Sequence, residues 1–193
     1  MLRRLYDWVL HLAEHRFAPS ALFGVSFAES SFFPIPPDLM LIPMVLAERL
    51  KAWRFALICT VGSVLGGVFG YFIGAVLLEV VGAPIIAFYG LEEKMQSLSS
   101  SYQEHGVWIV LLAGFTPIPY KVFTIASGVA GLSLPAFIIA SLVGRGARFF
   151  LVAGLLYFFG PTIRAFIERY LGLVTLIGGI LLVGGFFALK YLF

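Results

Sequence analysis

Long apolar runs separated by short polar stretches dominate the chain: Ala21–Ala47, Phe55–Leu78, Gly106–Gly131, Leu134–Gly160 and Tyr170–Leu189. Phe55–Leu78 and Tyr170–Leu189 contain no charged residue and, as helices, are long enough to cross ~30 Å of hydrocarbon. Two other runs are broken near their middles by proline brackets that are near copies. Phe33-Pro34-Ile35-Pro36-Pro37-Asp38 is answered, about 83 residues later, by Thr116-Pro117-Ile118-Pro119-Tyr120-Lys121. The same shift pairs Leu39–Ala47 with Val122–Ala130, and one residue less lays Gly62 over Gly144. Matching breaks in two internal repeats point to a carrier whose site lies where discontinuous helices meet.

The distribution of Lys and Arg decides how the broken runs turn. Arg3, Arg4 and Arg16 precede Ala21–Ala47, and Arg49, Lys51 and Arg54 follow it, so both flanks are expected in the cytoplasm. One span would separate the two flanks, and two spans would need about 40 residues where about 27 exist. A re-entrant hairpin that turns at the prolines satisfies both limits. Residues 82–105 hold only Lys94 against Glu92, Glu93 and Glu104, and are expected outside. Gly106–Gly131 must then return outside so that Leu134–Gly160 can bring Arg164 and Arg169 in. The hairpins enter from opposite faces, as an inverted-topology repeat requires.

The expected fold is therefore an all-α polytopic membrane protein with one membrane domain. An N-terminal interfacial helix within 1–20 is followed by repeat 1 over 21–81 and an external linker over 82–105. Repeat 2 spans 106–160, and a C-terminal transmembrane helix lies within 161–193, giving about three full spans beside the two hairpins. Ile85, Phe88, Leu91, Met95, Leu98 and Tyr102 recur at helical spacing, so the linker is expected to lie along the outer interface. The N-terminus is expected in the cytoplasm and the C-terminus outside.

Composition agrees: 61% of the residues are hydrophobic, 12% are charged and mean hydropathy is +1.01, values outside the soluble range. The net charge of +3 reflects cytoplasmic-side Lys and Arg, and no nucleic-acid partner is expected. Cys59 is the only cysteine, which excludes an internal disulfide. Gly62, Gly66, Gly70 and Gly74 line one face of Phe55–Leu78 and let another helix approach closely. Static packing against Leu134–Gly160 or a second subunit is one reading, and a sliding face for a moving hairpin is the other.

Five ionisable residues lie inside the apolar runs: Glu29, Asp38, Lys121, Arg145 and Arg148. Each costs roughly 2.5 kcal/mol or more at membrane depth unless it has a partner or a wet cavity. Arg145 and Arg148, three residues apart, share a helix face. A structural ion-pair cluster is one interpretation, yet two acids against three bases leave a positive surplus, which suggests room for an anion. Pro34, Pro36, Pro37, Pro117 and Pro119 are the expected hinges of the two tips, and each tip reads as a helix beginning. Asp38 has the favourable sign for a first turn; Lys121 has the wrong one, by roughly 0.3–1 kcal/mol. Local structure thus explains Asp38 and leaves Lys121 unexplained. Glu29, beside Ser30 and Ser31, is either a proton carrier or the partner of an arginine.

Enzyme signatures are weak. His11-Leu12-Ala13-Glu14-His15 matches the H-x-x-E-H string of zinc proteases, but no downstream acidic helix offers a third ligand. No histidine lies inside an apolar run, so a Ser–His pair at membrane depth is excluded. No metal, cofactor or catalytic residue is expected.

The paired proline-broken hairpins, the F-P-I-P-P-D tip, the glycine-striped span and the second tip resemble the DedA family over roughly residues 20–160. That bacterial group shares the SNARE-associated Golgi protein domain with eukaryotic lipid scramblases. The resemblance implies a flippase or scramblase of the bacterial inner membrane, with undecaprenyl phosphate or phosphatidylethanolamine as substrate and proton-motive force as a driver in several members. The family's embedded acids fall on Glu29 and Asp38. Its second-hairpin motif, R-F-x-P-x-x-R, is altered: Gly114 precedes Phe115 and Pro117, and Tyr120 with Lys121 stands at the second arginine. Lysine is a point charge where arginine grips phosphate bidentately, and Arg145 and Arg148 are placed to compensate.

These features lead to a carrier of a phosphate-headgroup lipid, with Lys121, Arg145, Arg148 and Tyr120 as substrate residues. Where transport is proton-coupled, Glu29 and Asp38 are the expected coupling residues. The expected partners are a phospholipid or polyprenyl phosphate, the membrane and, at the glycine stripe, a second subunit. A cation-coupled small-solute transporter and a non-transporting membrane scaffold remain as alternatives.

Overall fold

The computed structural model describes residues 17–33, 35–89, 92–116 and 118–162. The expected interfacial helix, the C-terminal span, the His11–His15 string and the hinges Pro34 and Pro117 lie outside the described residues. Helix α1 (Ala18–Ser31) leads through the first proline bracket to α2 (Asp38–Ala47), and a 3-10 turn at Arg49–Lys51 leads into α3 (Ala52–Leu77). A π turn at Leu78–Gly82 and the short α4 (Ala83–Tyr89) precede α5 (Glu92–Phe115). The second bracket follows, then α6 (Tyr120–Val129) and α7 (Leu134–Thr162). Each half thus has the order helix, break, ten-residue helix, long helix.

Proline chemistry stops α1 and starts α2. Pro34 has no N–H, so it cannot donate to the Ser30 carbonyl one turn back. Phe32 and Phe33 both turn their N–H groups onto the Ala28 carbonyl instead, at 2.9 and 2.8 Å. Helices α1 and α2, of 14 and 10 residues, are about 21 and 15 Å long, short of a ~30 Å crossing. By contrast, the helices through Arg49–Val80 and Leu134–Thr162 are long and apolar enough to span a membrane.

The linker differs from expectation. It includes the π turn and α4, but from Glu92 onward it is one unbroken helix with the first arm of the second hairpin. Residues 92–105 contain neither Gly nor Pro to stop a helix, and Gly106 alone weakens one by only about 1 kcal/mol. Tyr102 and Ser99 pin this helix to the end of α6, through the Ser127 hydroxyl at 3.1 Å and the Ala130 carbonyl at 3.1 Å.

The long helices α3 and α7 run antiparallel. Trp53, early in α3, packs on Phe150 and Tyr157 late in α7, with ring centroids 6.0 and 5.8 Å apart. Tyr71, late in α3, packs on Phe137 early in α7 at 5.5 Å. The basic turn lies at the C-terminal end of α7, where Arg49 Nε donates to the Tyr157 carbonyl at 3.1 Å.

The glycine stripe does not face α7. Gly62 and Gly66 receive the backbone carbonyls of Phe23 and Phe27 on α1, and Gly74 receives that of Ile125 on α6. Gly70 sits between Ser30 and Thr124, so α3 is the seam against which both short arms pack. Helix α7 makes its own close approach through Gly144, on the Leu111 carbonyl of α5.

Buried polar side chains accompany large apolar ones on the outside. Ser26, Ser30, Ser31, Ser63, Thr124, Ser141 and Arg145 are buried, while Leu57, Leu65, Phe69, Phe72 and Val76 of α3 and Ile139, Leu142, Phe150 and Phe158 of α7 are exposed. Apolar outward faces over buried hydroxyls and a buried arginine suit lipid as the solvent. Two apolar cores result, one around Leu22, Leu41, Phe55 and Phe149, the other around Val110, Tyr120, Leu132 and Phe137.

Candidate functional site

Four of the five charges gather around the first proline break, and Lys121 stands on the second. Glu29, in the last turn of α1, and Asp38, the first residue of α2, flank that break. Arg145 and Arg148 are separated by ~4.5 Å of helix rise on one face of α7. Arg145 Nη2 donates to Glu29 Oε2 at 2.6 Å, and Arg148 Nη2 donates to Asp38 Oδ2 at 2.6 Å. One helix therefore supplies a cation to each lip of the break.

The two pairs are unequally built. Arg145 is only 3% exposed, and its Nε donates to Ser63 Oγ at 2.5 Å. Its guanidinium lies 5.0 Å from the Tyr120 ring centroid and 4.7 Å from that of Phe149, one ring from each apolar core. Such cation–π contacts strengthen when desolvated. Glu29 Oε2 also faces Ser30 Oγ at 3.2 Å, and Ser30 Oγ reaches Ser63 Oγ at 2.7 Å. Asp38 and Arg148 share one hydrogen bond, while Asp38 Oδ1 and Arg148 Nε are buried without a partner among the described residues.

Asp38 stands in the first turn of α2, where its sign suits the helix dipole, but it bonds no backbone N–H there. Pro37 precedes α2 without a side-chain cap, and the Asp38 carboxylate turns to α7. Arg145 and Arg148 each have a carboxylate of their own, so neither contributes an unpaired charge. The positive surplus is left on Lys121. Its side chain, on the first turn of α6, is half-buried and has no hydrogen bond or ion pair among the described residues. Tyr120, the neighbouring residue, is wholly buried, stacks on Arg145 and shares a hydrogen bond with the Ser141 hydroxyl.

Backbone ties bring the second tip against the first. Thr124 Oγ1 lies 3.1 Å from the Ser30 carbonyl, the one that Pro34 cannot serve, and 2.9 Å from the Lys121 carbonyl of its own helix. Ser63 and Thr124 are absent from the sequence-derived site. Small hydroxyl residues on packing faces are its weakest signal, although Ser26, Ser30 and Ser31 on one short apolar helix hint at a polar seam. Pro36 and Pro119 lie just outside the helices: the carbonyl of Pro36 accepts from Leu39 N–H at 3.2 Å and that of Pro119 from Val122 N–H at 3.3 Å. The described residues hold no cluster of three or more His, Cys, Asp or Glu able to bind a metal.

The VTT domain family matches residues 35–158. An uncharacterized protein of Haemophilus influenzae is 39% identical over 186 residues, covering 96% of both chains. One from Histophilus somni is 37% identical over 161 residues, 83% of this chain and 84% of its own. Undecaprenyl phosphate transporter A of Staphylococcus aureus is 25% identical over 137 residues, 67% of this chain and 68% of its own. None of these three is named as an enzyme. No solved structure matches the chain.

Proposed function

Because the chain belongs to the VTT-domain (DedA) family, we propose that it carries a lipid with a phosphate head group across the bacterial inner membrane. In this reading the two broken segments are re-entrant hairpins of opposite orientation, and the head group passes between their tips while its tails stay in the bilayer. The antiparallel course of α3 and α7 supports the inverted arrangement. Polyprenyl phosphate and phospholipid are both in the proposed substrate class, the first because one relative is named for it.

The observation that carries the reading is Lys121. Every other charge at the breaks has a counter-ion; this one opposes the dipole of its own helix and has no partner among the described residues. A membrane cation without a structural partner is a site for an anion, and the poorly screened interior lengthens its reach. Proton coupling, in the same reading, runs through Glu29 or Asp38, the acids at the first break. A pH gradient should then stop driving transport in Glu29→Gln or Asp38→Asn.

The test is movement of a headgroup-labelled lipid in proteoliposomes. Lys121→Ala should lose transport while insertion and thermal stability stay close to wild type, and Lys121→Arg should keep it. The neutralised arginine pairs also suit a second reading, a scaffold in which ion pairs tie the repeats together. Normal lipid movement in Lys121→Ala would favour that scaffold.

A further inference from the structure

The unequal ion pairs divide the labour at the first break, and the division identifies a subsite. Arg145 is fixed by Glu29, Ser63 and two aromatic rings, so freeing it would disrupt both apolar cores. Arg148 is held to Asp38 through a single 2.6 Å contact. Each group keeps one further buried polar atom, the donor Arg148 Nε–H and the acceptor Asp38 Oδ1, without a protein partner among the described residues. Buried orphans of this kind are uncommon, and one of each sign beside a single contact is a recognition pattern. Its complement is a group presenting an acceptor and a hydrogen together, small enough to reach both atoms.

A phosphomonoester carrying one proton has this shape. Its unprotonated oxygen accepts from Arg148 Nε–H, and its P–OH donates to Asp38 Oδ1. A phosphodiester has the acceptor and no P–OH. We propose that Asp38 and Arg148 form a subsite that selects a singly protonated phosphomonoester over a phosphodiester, while Arg145 stays tied to Glu29 as the head group binds. The inference rests on the phosphate-headgroup reading above and adds to it which cation contacts the head group and which protonation state is chosen. It assigns no role to Lys121 beyond attracting the anion.

Binding to the purified full chain separates this subsite from transport. The probes are short-chain phosphatidic acid (a monoester), short-chain phosphatidylmethanol (a diester without other hydrogen donors) and inorganic phosphate. Measurement near pH 6 keeps about half of a monoester as the P–OH form. The wild type should bind phosphatidic acid about tenfold or more tighter than phosphatidylmethanol, the scale of one charge-assisted hydrogen bond. Asp38→Asn should bring the two affinities within about twofold without weakening phosphatidylmethanol, since Arg148 loses its competing carboxylate. Arg148→Gln should weaken both ligands. Equal affinities in the wild type, which needs no variant to fold, overturn the subsite, as does a preference that survives Asp38→Asn. Inorganic phosphate binding as tightly as phosphatidic acid would keep the subsite and remove the lipid from the proposed function. Lysine-dependent lipid transport without monoester preference would do the reverse.

Discussion

Replacing Gly66 by alanine tests whether α3 is the seam that holds the first hairpin. A Cβ at Gly66 would lie 2.8 Å from the Phe27 carbonyl carbon and closer still to its oxygen. These are backbone atoms, so no rotamer relieves the clash and α1 itself has to move. Three contacts along the same seam would move with it: Ser26 Oγ to the Cys59 carbonyl at 2.7 Å, Ser30 Oγ to Ser63 Oγ at 2.7 Å and Ser31 Oγ to the Gly66 carbonyl at 2.9 Å. Overpacking costs about 1–3 kcal/mol, and one weakened buried hydrogen bond adds about 1. The better helix propensity of alanine returns about 1 kcal/mol, leaving a net loss of about 2. Gly24, with nothing within 4 Å of its would-be Cβ, isolates that propensity gain, so Gly24→Ala should be neutral or slightly stabilising. Cys59 supplies the assay: it is the only cysteine and wholly buried, so a thiol-reactive dye reports unfolding directly. Gly66→Ala should melt about 4–8 °C below wild type. Melting together with Gly24→Ala would refute close packing along this seam.

Three further outcomes follow from the same contacts. Glu29→Gln leaves Arg145 buried without its carboxylate and should destabilise by about 3–5 kcal/mol, whereas Glu29→Gln with Arg145→Met should recover most of the loss in Cys59 dye melting. Thr124→Val removes the donor that serves the Ser30 carbonyl and should cost about 1–3 kcal/mol, while Thr124→Ser keeps it and should stay within about 0.5; equal melting of the two variants would count against the cross-tip bond. In a Cys59→Ala background, cysteines at Ser20 and Leu50 should label from one side of the membrane, and those at Glu104 and Ser133 from the other. Opposite labelling within either pair overturns the re-entrant arrangement.

The breaks were legible because proline removes a fixed donor at a fixed position whatever its surroundings. The embedded charges were legible because lipid makes them costly. Their pairing was not, since it depends on which face of α7 meets α1 and α2, while the aromatic contacts Trp53–Phe150 and Tyr71–Phe137 fix α7 only against α3. Five charges on a line of sequence give a surplus, and the sign of Lys121 against its helix dipole already marked it; the fold adds that the other four are paired. The glycine stripe declared a close approach but not its partner, because Gly62 through Gly74 suit any backbone that presents a carbonyl. The polar stretch up to His105 read as a linker by composition, yet nothing in it breaks a helix, so α5 runs through. Ser63 and Thr124 gave almost no signal, since a hydroxyl among small residues looks the same whether or not it meets an arginine.

The ion pairs also have a consequence for how the protein is made. Glu29 and Asp38 precede their arginines by 116 and 110 residues. At translation rates of about 5–20 residues per second, the acids wait roughly 5–20 s for the counter-ions. In the proposed re-entrant arrangement an unpaired acid at membrane depth costs ~2.5 kcal/mol or more, which would hold the first broken segment at the water-facing edge of the bilayer until α7 is threaded. The two halves would then have to enter together, and a chain halted before Arg145 is expected to strand as an insertion intermediate.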